Sequence, residues 1–318
     1  RDSFAPMSNQ SQHPRIVFMG TPEFAVASLR ALLAANFNVV GVVTSPDKPA
    51  GRGYQLQESA VKKFAVEKGL SLLQPVKLKD PAFLEKLDEW KADLQIVVAF
   101  RMLPEIVWNR PRLGTINLHG SLLPQYRGAA PINWALINGE KTTGVTTFLL
   151  KQEIDTGDIL LAREVTIEPK DDFGTLYSKL QEVGATLLVE TIQQYTNGQL
   201  APTPQAIEPT LIKHAPKISK ETGIIDWNQP AQHILNLIRG LSPYPGATTI
   251  FQGKQLKIFA GTILPETPSI AAGNFDTDEK KYLRFACQDA WLFIEELQLE
   301  GKKRLPVATF LAGYRFNK

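Results

Sequence analysis

The chain has 318 residues, enough for two domains, and its 43% hydrophobic and 21% charged content suits a globular protein with a sizeable core. No apolar run approaches the roughly 20 residues needed to cross a bilayer, and the opening RDSFAPMSNQSQHP lacks the apolar centre of a signal peptide, so a cytoplasmic protein without a membrane partner is expected. A single cysteine excludes an internal disulfide and a Cys-cluster metal site, and four histidines without H-E-x-x-H spacing make a metal unexpected.

Residues 1–14 are expected to be disordered or derived from a tag, with Met7 the natural start. RIVFMG then reads as a short apolar strand entering a Gly-Thr-Pro turn. PEFAVASLRALLAA follows with Phe24, Leu29, Leu32 and Leu33 at helical spacing, Pro22 near the helix start and Thr21 placed to cap it. Val39 to Thr44 is the next strand, and Glu58–Lys68 and Pro81–Trp90 read as helices. Leu94–Phe100 is a continuous apolar run, as a strand buried on both faces would be. Gly114–His119 reads as a further strand. This alternation predicts an α/β fold with a Rossmann-like, mainly parallel sheet. The turn after the first strand is GTPEFA, with Pro22 where a dinucleotide site needs its second glycine, so NAD binding is disfavoured.

A helix at Pro131–Ile137, the strand TGVTTFLL, strands within DTGDILLAREVTI and a long amphipathic helix from Phe173 complete a domain of residues 15–196. NGQLAPTPQAIEPT has several prolines and little periodicity, which predicts a linker over 197–212. Residues 213–318 change character. GIIDW, ATTIFQ, QLKIFAGTIL, YLRFACQ and AWLFIEELQL are short strand-like segments, interrupted by one helix, AQHILNLIRGL. They predict a small β-barrel or sandwich, such as an OB-like barrel. Cys287, inside YLRFAC, reads as a buried structural thiol. From Thr210 onward there are 14 basic and 10 acidic residues, against 21 and 22 before it, so the positive excess lies in the C-terminal part and favours a polyanionic partner there.

Two constellations carry chemistry. Asn117 and His119 are two apart on a strand, so both side chains leave the same face. An Asn-x-His pair is usually an ordinary polar pair. Here it opens a loop punctuated by Gly120, Pro124, Gly128 and Pro131 and holding Leu122 and Leu123, the pattern of a rigid, shaped loop. Asp155 follows in the Gly-flanked turn DTGDIL. Formyl transfer to an amine needs a donor to a developing oxyanion, a group that moves protons and a group that orients the latter. An amide, an imidazole and a carboxylate can fill those roles in that order. Ser121 is a poor nucleophile candidate, because H-G-S is not the G-x-S-x-G elbow. The second constellation is SPDKPAGRGYQ. Its Lys48 and Arg52 are either solvated cations on a flexible surface loop or the clasp of a mobile basic loop on a polyanion.

GTPEFAV, DKPAGRG, INLHGSLLPQYRGAAP and DTGDIL, with KISKETGIIDW and LSPYPGA further on, together resemble the methionyl-tRNA formyltransferases from about Arg15 to the C-terminus. The resemblance implies a cytoplasmic monomer that moves the formyl group of 10-formyltetrahydrofolate to methionyl initiator tRNA. By residue, it implies catalytic roles for Asn117, His119 and Asp155 and folate contacts at Ser121, Leu122, Leu123 and Pro124. The pterin would lie on main chain at Phe100, Arg101, Met102 and Leu103. FRMLP stands where many relatives read YGLILP, so main-chain contacts carry over there and side-chain details do not. Lys48 and Arg52 match the insertion that wedges into the tRNA acceptor end, and the second domain would hold the acceptor arm. The catalytic motif alone leaves other readings open: formylation of a nucleotide-linked amino sugar, hydrolysis of the same folate, or a tRNA-binding module without chemistry.

Overall fold

A computed structural model describes residues 13–50, 53, 55–205 and 208–317. The expected disordered or tag-derived start falls almost wholly outside the described residues, and so does Arg52. In chain order the first elements are β1 (Arg15–Gly20), α1 (Glu23–Ala34), β2 (Asn38–Val43), β3 (Lys48–Ala50), β4 (Gln55–Gln57), α2 (Ala60–Glu67), β5 (Leu72–Leu73) and α3 (Pro81–Glu89). They continue with β6 (Leu94–Val98), α4 (Glu105–Trp108), β7 (Thr115–His119), α5 (Pro131–Ile137), β8 (Thr142–Leu149), β9 (Ile159–Thr166) and α6 (Phe173–Thr196).

The chain divides into two compact units, neither of them continuous in sequence. The first runs through Arg127 and takes in Gly144–Val165 and Ser178–Lys213; the second holds Gly128–Thr143, Thr166–Tyr177 and the chain from His214. The described part of the segment expected as a linker, 197–205 and 208–212, belongs to the first unit. Thr203 pairs with Ile159 through two main-chain hydrogen bonds of 2.8 and 2.9 Å.

The first unit is built on a seven-stranded sheet in the order β5-β2-β1-β6-β7-β8-β9. The pairs from β5 to β7 are parallel, and β8 runs antiparallel to β7. The apolar runs form the central strands: Ile16, Val17, Phe18 and Met19 of β1 and Leu94, Ile96 and Val98 of β6 are wholly buried. The chain steps from β1 outward to β2 and β5, then returns to β6 on the other side of β1. The order therefore reverses between β1 and β6, and at such a point an open α/β sheet leaves a crevice beyond its carboxyl edge. Gly20 ends β1 there, because an added Cβ would lie 2.6 Å from the Ala25 Cβ and 2.7 Å from the Val98 carbonyl oxygen. Helix α1 is capped by Pro22 without a side-chain hydrogen bond, contrary to the expected cap at Thr21. The Thr21 hydroxyl instead pairs with the Ser45 hydroxyl at 2.9 Å. β6 stops at Val98, short of the expected Phe100, where Ala99 turns to a φ of 49°.

The second unit carries α7 (Ala231–Gly240), β10 (Ala247–Phe251), β11 (Lys254–Leu264), β12 (Phe275–Thr277), β13 (Leu283–Ala286), β14 (Trp291–Leu299), β15 (Leu305–Pro306) and α8 (Val307–Gly313). Its antiparallel sheet runs β10-β11-β14-β13-β12, with β15 on β14, and forms a curled, OB-like half-barrel. Ile234 and Ile238 of α7 join Leu256, Ile258, Leu292 and Phe285 in its core. Trp227 stacks on Phe285 with centroids 4.5 Å apart. GIIDW is not a strand. Glu221–Gly223 forms a 3-10 turn, and Ile224 makes one isolated bridge to Thr248. Among the described residues no helix is long and apolar enough to cross a membrane.

Candidate active site

Asn117 and His119 lie at the carboxyl end of β7, between β6 and β8. The alternation of the strand brings the two side chains out together. His119 is nearly buried, with 8% of its surface exposed. Asn117 is half-buried, and its amide makes no side-chain hydrogen bond to another described residue.

The imidazole is held from the following loop. Its Nε2 lies 2.8 Å from the Tyr126 carbonyl oxygen. A carbonyl only accepts, so Nε2 carries the hydrogen and donates it. In the neutral ring the lone pair is then on Nδ1. That nitrogen faces Asp155, whose Oδ2 stands 3.8 Å away. The distance exceeds a hydrogen bond, and the carboxylate lies on the side of the ring that carries the lone pair. Asp155 sits in the turn before β9 with φ of 53°. Below the turn, a Cβ at Gly157 would fall 1.5 Å from the Leu149 carbonyl oxygen, so no other residue lets the main chain pass so close.

The loop after β7 is fastened to β8. The Thr146 hydroxyl donates to the Ser121 carbonyl at 2.7 Å and accepts from the Leu123 amide at 3.1 Å. Ser121 is wholly buried and spends its hydroxyl on the Gln125 carbonyl at 2.6 Å, which leaves it no part as a nucleophile. Leu123 is buried, Leu122 and Pro124 are half-buried, and the Leu123–Pro124 peptide is cis. Further on, Gln125 bonds the main chain of Leu211 and Lys213, and the Tyr126 amide donates to the Lys213 carbonyl at 2.6 Å. The segment expected as a linker thus closes on the loop after β7.

Phe100, Arg101, Met102 and Leu103 follow β6 beside the switch in strand order. Among the described residues their peptide groups make no main-chain hydrogen bonds. That leaves an irregular run of donors and acceptors able to meet the edge of a flat heterocycle. Arg101 turns its side chain to the carbonyls of Pro75 (2.7 Å) and Val76 (2.9 Å) and lies over the Phe100 ring at 5.0 Å. Burial lowers the affinity of its guanidinium for the proton, and its Nε is buried without a partner. The side chain is therefore committed to its own unit while the main chain stays open, a fit to a pterin held by backbone.

The described residues of the basic loop form part of a strand pair. Lys48 begins β3, which pairs antiparallel with β4, so Lys48 lies opposite Gln57. Lys48 is exposed. The hairpin is footed by Asp47, which accepts from Lys62 at 2.6 Å and from Gln74 at 2.9 Å. The Lys62 ammonium, and then the Gln74 amide, hold the Asp47 carboxyl below its ordinary range. Sequence reasoning missed Tyr126, Thr146 and the residues at this foot. Thr146 had a signal in the β-branched strand that carries it, and the others had none.

Comparison with known proteins agrees with the geometry. A family model described as formyl transferase matches residues 14–192, and one described as formyl transferase, C-terminal domain, matches residues 217–315. A methionyl-tRNA formyltransferase of Parabacteroides distasonis is 54% identical over 310 residues, covering 95% of this chain and 96% of its own length. Among solved structures, HypX from Aquifex aeolicus, in complex with tetrahydrofolic acid, matches with a TM-score of 0.64 at 22% identity. That match covers 94% of this chain and 47% of HypX, so the chain spans about half of its length. An N-formyltransferase from Helicobacter canadensis, in complex with folinic acid and dTDP-3-aminofucose, matches with a TM-score of 0.65 at 20% identity over 91% of this chain and 99% of its own. At those identities the two structures share the fold alone.

Proposed function

This chain belongs to the methionyl-tRNA formyltransferase family, and we propose that it transfers the formyl group of 10-formyltetrahydrofolate to the α-amino group of methionine on initiator tRNA, in translation initiation. The observation that carries the chemistry is the position of the His119 lone pair, 3.8 Å from the Asp155 carboxylate, on the strand end that also presents Asn117.

The folate supplies the formyl carbon and, in its own nitrogen, the leaving group. Asn117 is a side-chain donor free to meet the negative charge that builds on a formyl oxygen under attack. His119 takes the proton that the attacking amine must lose, at Nδ1, because Nε2 is committed to Tyr126, and returns it to the folate nitrogen as the C–N bond to the formyl carbon breaks. Asp155 stabilises the imidazolium that results. Main chain at Phe100–Leu103 would hold the pterin, with Ser121–Pro124 beside it. The scheme uses side chains and main chain and calls for no metal. Lys48 of the hairpin, with Arg52 four residues later in the sequence, would meet tRNA phosphates, and the exposed Lys254, Lys280, Lys281, Lys302 and Lys303 of the second unit suit the acceptor arm.

An amino sugar acceptor is the competing reading, since the Helicobacter canadensis enzyme shares the fold. The identity near one half lies with methionyl-tRNA enzymes, and the sugar enzyme shares 20%. An acceptor assay separates them: charged initiator tRNA and a nucleotide-linked amino sugar are offered with the same folate donor. Formylation of the tRNA supports the proposal, and formylation of the sugar alone overturns it.

A further inference from the structure

The geometry assigns Gln205 as a positioning residue that holds the Asp155 turn against the segment orienting His119. It rests on the proposed formyl transfer for its kinetic consequence.

Gln205 lies in the segment whose composition reads as a linker, 50 residues beyond Asp155 in sequence. Its amide nitrogen donates to the Asp155 carbonyl at 2.8 Å and to the Gly157 carbonyl at 2.8 Å. Its amide oxygen accepts from Arg127, Nη2 at 2.8 Å and Nε at 3.2 Å. A primary amide has two hydrogens and two lone pairs, and here all four are used. Few side chains can do this. A carboxylate accepts without donating, an ammonium donates without accepting, and a shorter amide does not reach both sides.

The position of the strut gives it its meaning. The 3.8 Å between His119 and Asp155 is a distance between two separate segments. One is Tyr126–Arg127, whose Tyr126 carbonyl turns the imidazole. The other is Asp155–Gly157, left-handed at Asp155, a conformation that non-glycine residues seldom adopt. Gln205 is bonded to both, one residue from the carbonyl that turns His119 and on the carbonyl of Asp155 itself. From behind, the Leu149 carbonyl oxygen packs so close to Gly157 that an added Cβ would fall 1.5 Å from it. The turn is therefore gripped on two sides, and Gln205 is the side that ties it to the imidazole.

The test uses the full chain with Gln205→Glu and Gln205→Ala. The glutamate keeps the size and the Arg127 contact but sets an acceptor-only carboxylate against the Asp155 and Gly157 carbonyl oxygens, which need a donor. We expect kcat to fall about ten- to a hundredfold, as for a small misplacement of a reacting group. KM for charged initiator tRNA and for the folate should stay within about twofold, because ground-state contacts are untouched. Amide hydrogen exchange at residues 153–158 should rise in both variants, while the thermal midpoint and exchange elsewhere stay at wild-type values. Wild-type kcat, or unchanged exchange at the turn, overturns the assignment. So does a general loss of stability with kcat and KM failing together, which marks a merely structural role. If the wild-type chain formylates no tRNA, the functional reading fails, and exchange at the turn alone then decides for or against the strut.

Discussion

Nδ1 of His119 stands 3.8 Å from Oδ2 of Asp155, while the other ring nitrogen donates to the main chain of Tyr126. The two nitrogens thus have separate duties. Tyr126 fixes the plane and tautomer of the ring, and Asp155 lies on the side where the proposed transfer would bring a proton. This differs from a hydrolase triad, where the carboxylate itself orients the ring through a hydrogen bond.

Asp155→Asn tests that division. The amide keeps the volume but not the negative charge beside the proton taken up in the proposed transfer, and its NH2 can donate to the Nδ1 lone pair and occupy it. We expect kcat to fall about 10²- to 10⁴-fold, with KM for tRNA nearly unchanged. Steady-state kinetics with both substrates varied checks it; an equal rise in KM would place Asp155 in binding instead.

Thr146→Val should loosen the loop that begins at Ser121. The substitution leaves the Ser121 carbonyl and the Leu123 amide without the hydroxyl they share. Both lie at buried residues, so the cost is about 1–3 kcal/mol. Urea unfolding reads that loss, and KM for the folate should rise with it. A variant as stable as the wild type would mean that the loop is held by other contacts.

Acid should release the hairpin that carries Lys48. The Asp47 carboxyl is lowered first by its hydrogen bond to Lys62 and then by Gln74. A carboxyl lowered in the folded state stabilises fully above its ordinary range. That contribution is lost as pH falls from there through the folded value. Protection of the β3 and β4 amides, taken relative to their intrinsic exchange at each pH, should therefore fall below about pH 4, and Asp47→Asn should show the lowered protection already at neutral pH. Protection independent of pH in the wild type would count against the foot.

Cys287 should be inert in the native protein. Burial, and after it the charge of Asp289, pushes its thiol up to about 12, and 3% of the residue is exposed. A maleimide should label it only on unfolding, as mass spectrometry would show. Prompt labelling under native conditions would mean that the second unit opens locally.

What the sequence made legible follows from range. The β6 run LQIVV announces a buried strand by composition alone, and Asn117 and His119 share a face by alternation alone. The ring's orientation could not be read, because it depends on Tyr126 taking a φ of 58° and aiming its carbonyl back. Thr146 reaches the loop through the antiparallel register that sets it opposite His119, and no local pattern encodes a register. Gln205 sits among prolines and polar residues that suggest a linker, yet its partners are 48 to 78 residues away. GIIDW misleads in the other direction. Its β-branched residues favour a strand, but the 3-10 turn before it and the turn at Asp226–Gln229 leave it a single bridge to β10.

One measurement reaches the central claim most directly. A labelled formyl group is followed from 10-formyltetrahydrofolate to methionyl initiator tRNA with the wild-type chain and with His119→Ala, and tRNA binding is measured on the same samples. The wild type should transfer the label. The variant should bind the tRNA equally well and transfer it about 10²- to 10⁴-fold more slowly, having lost the group that takes the proton. Transfer by His119→Ala at near the wild-type rate would contradict the account.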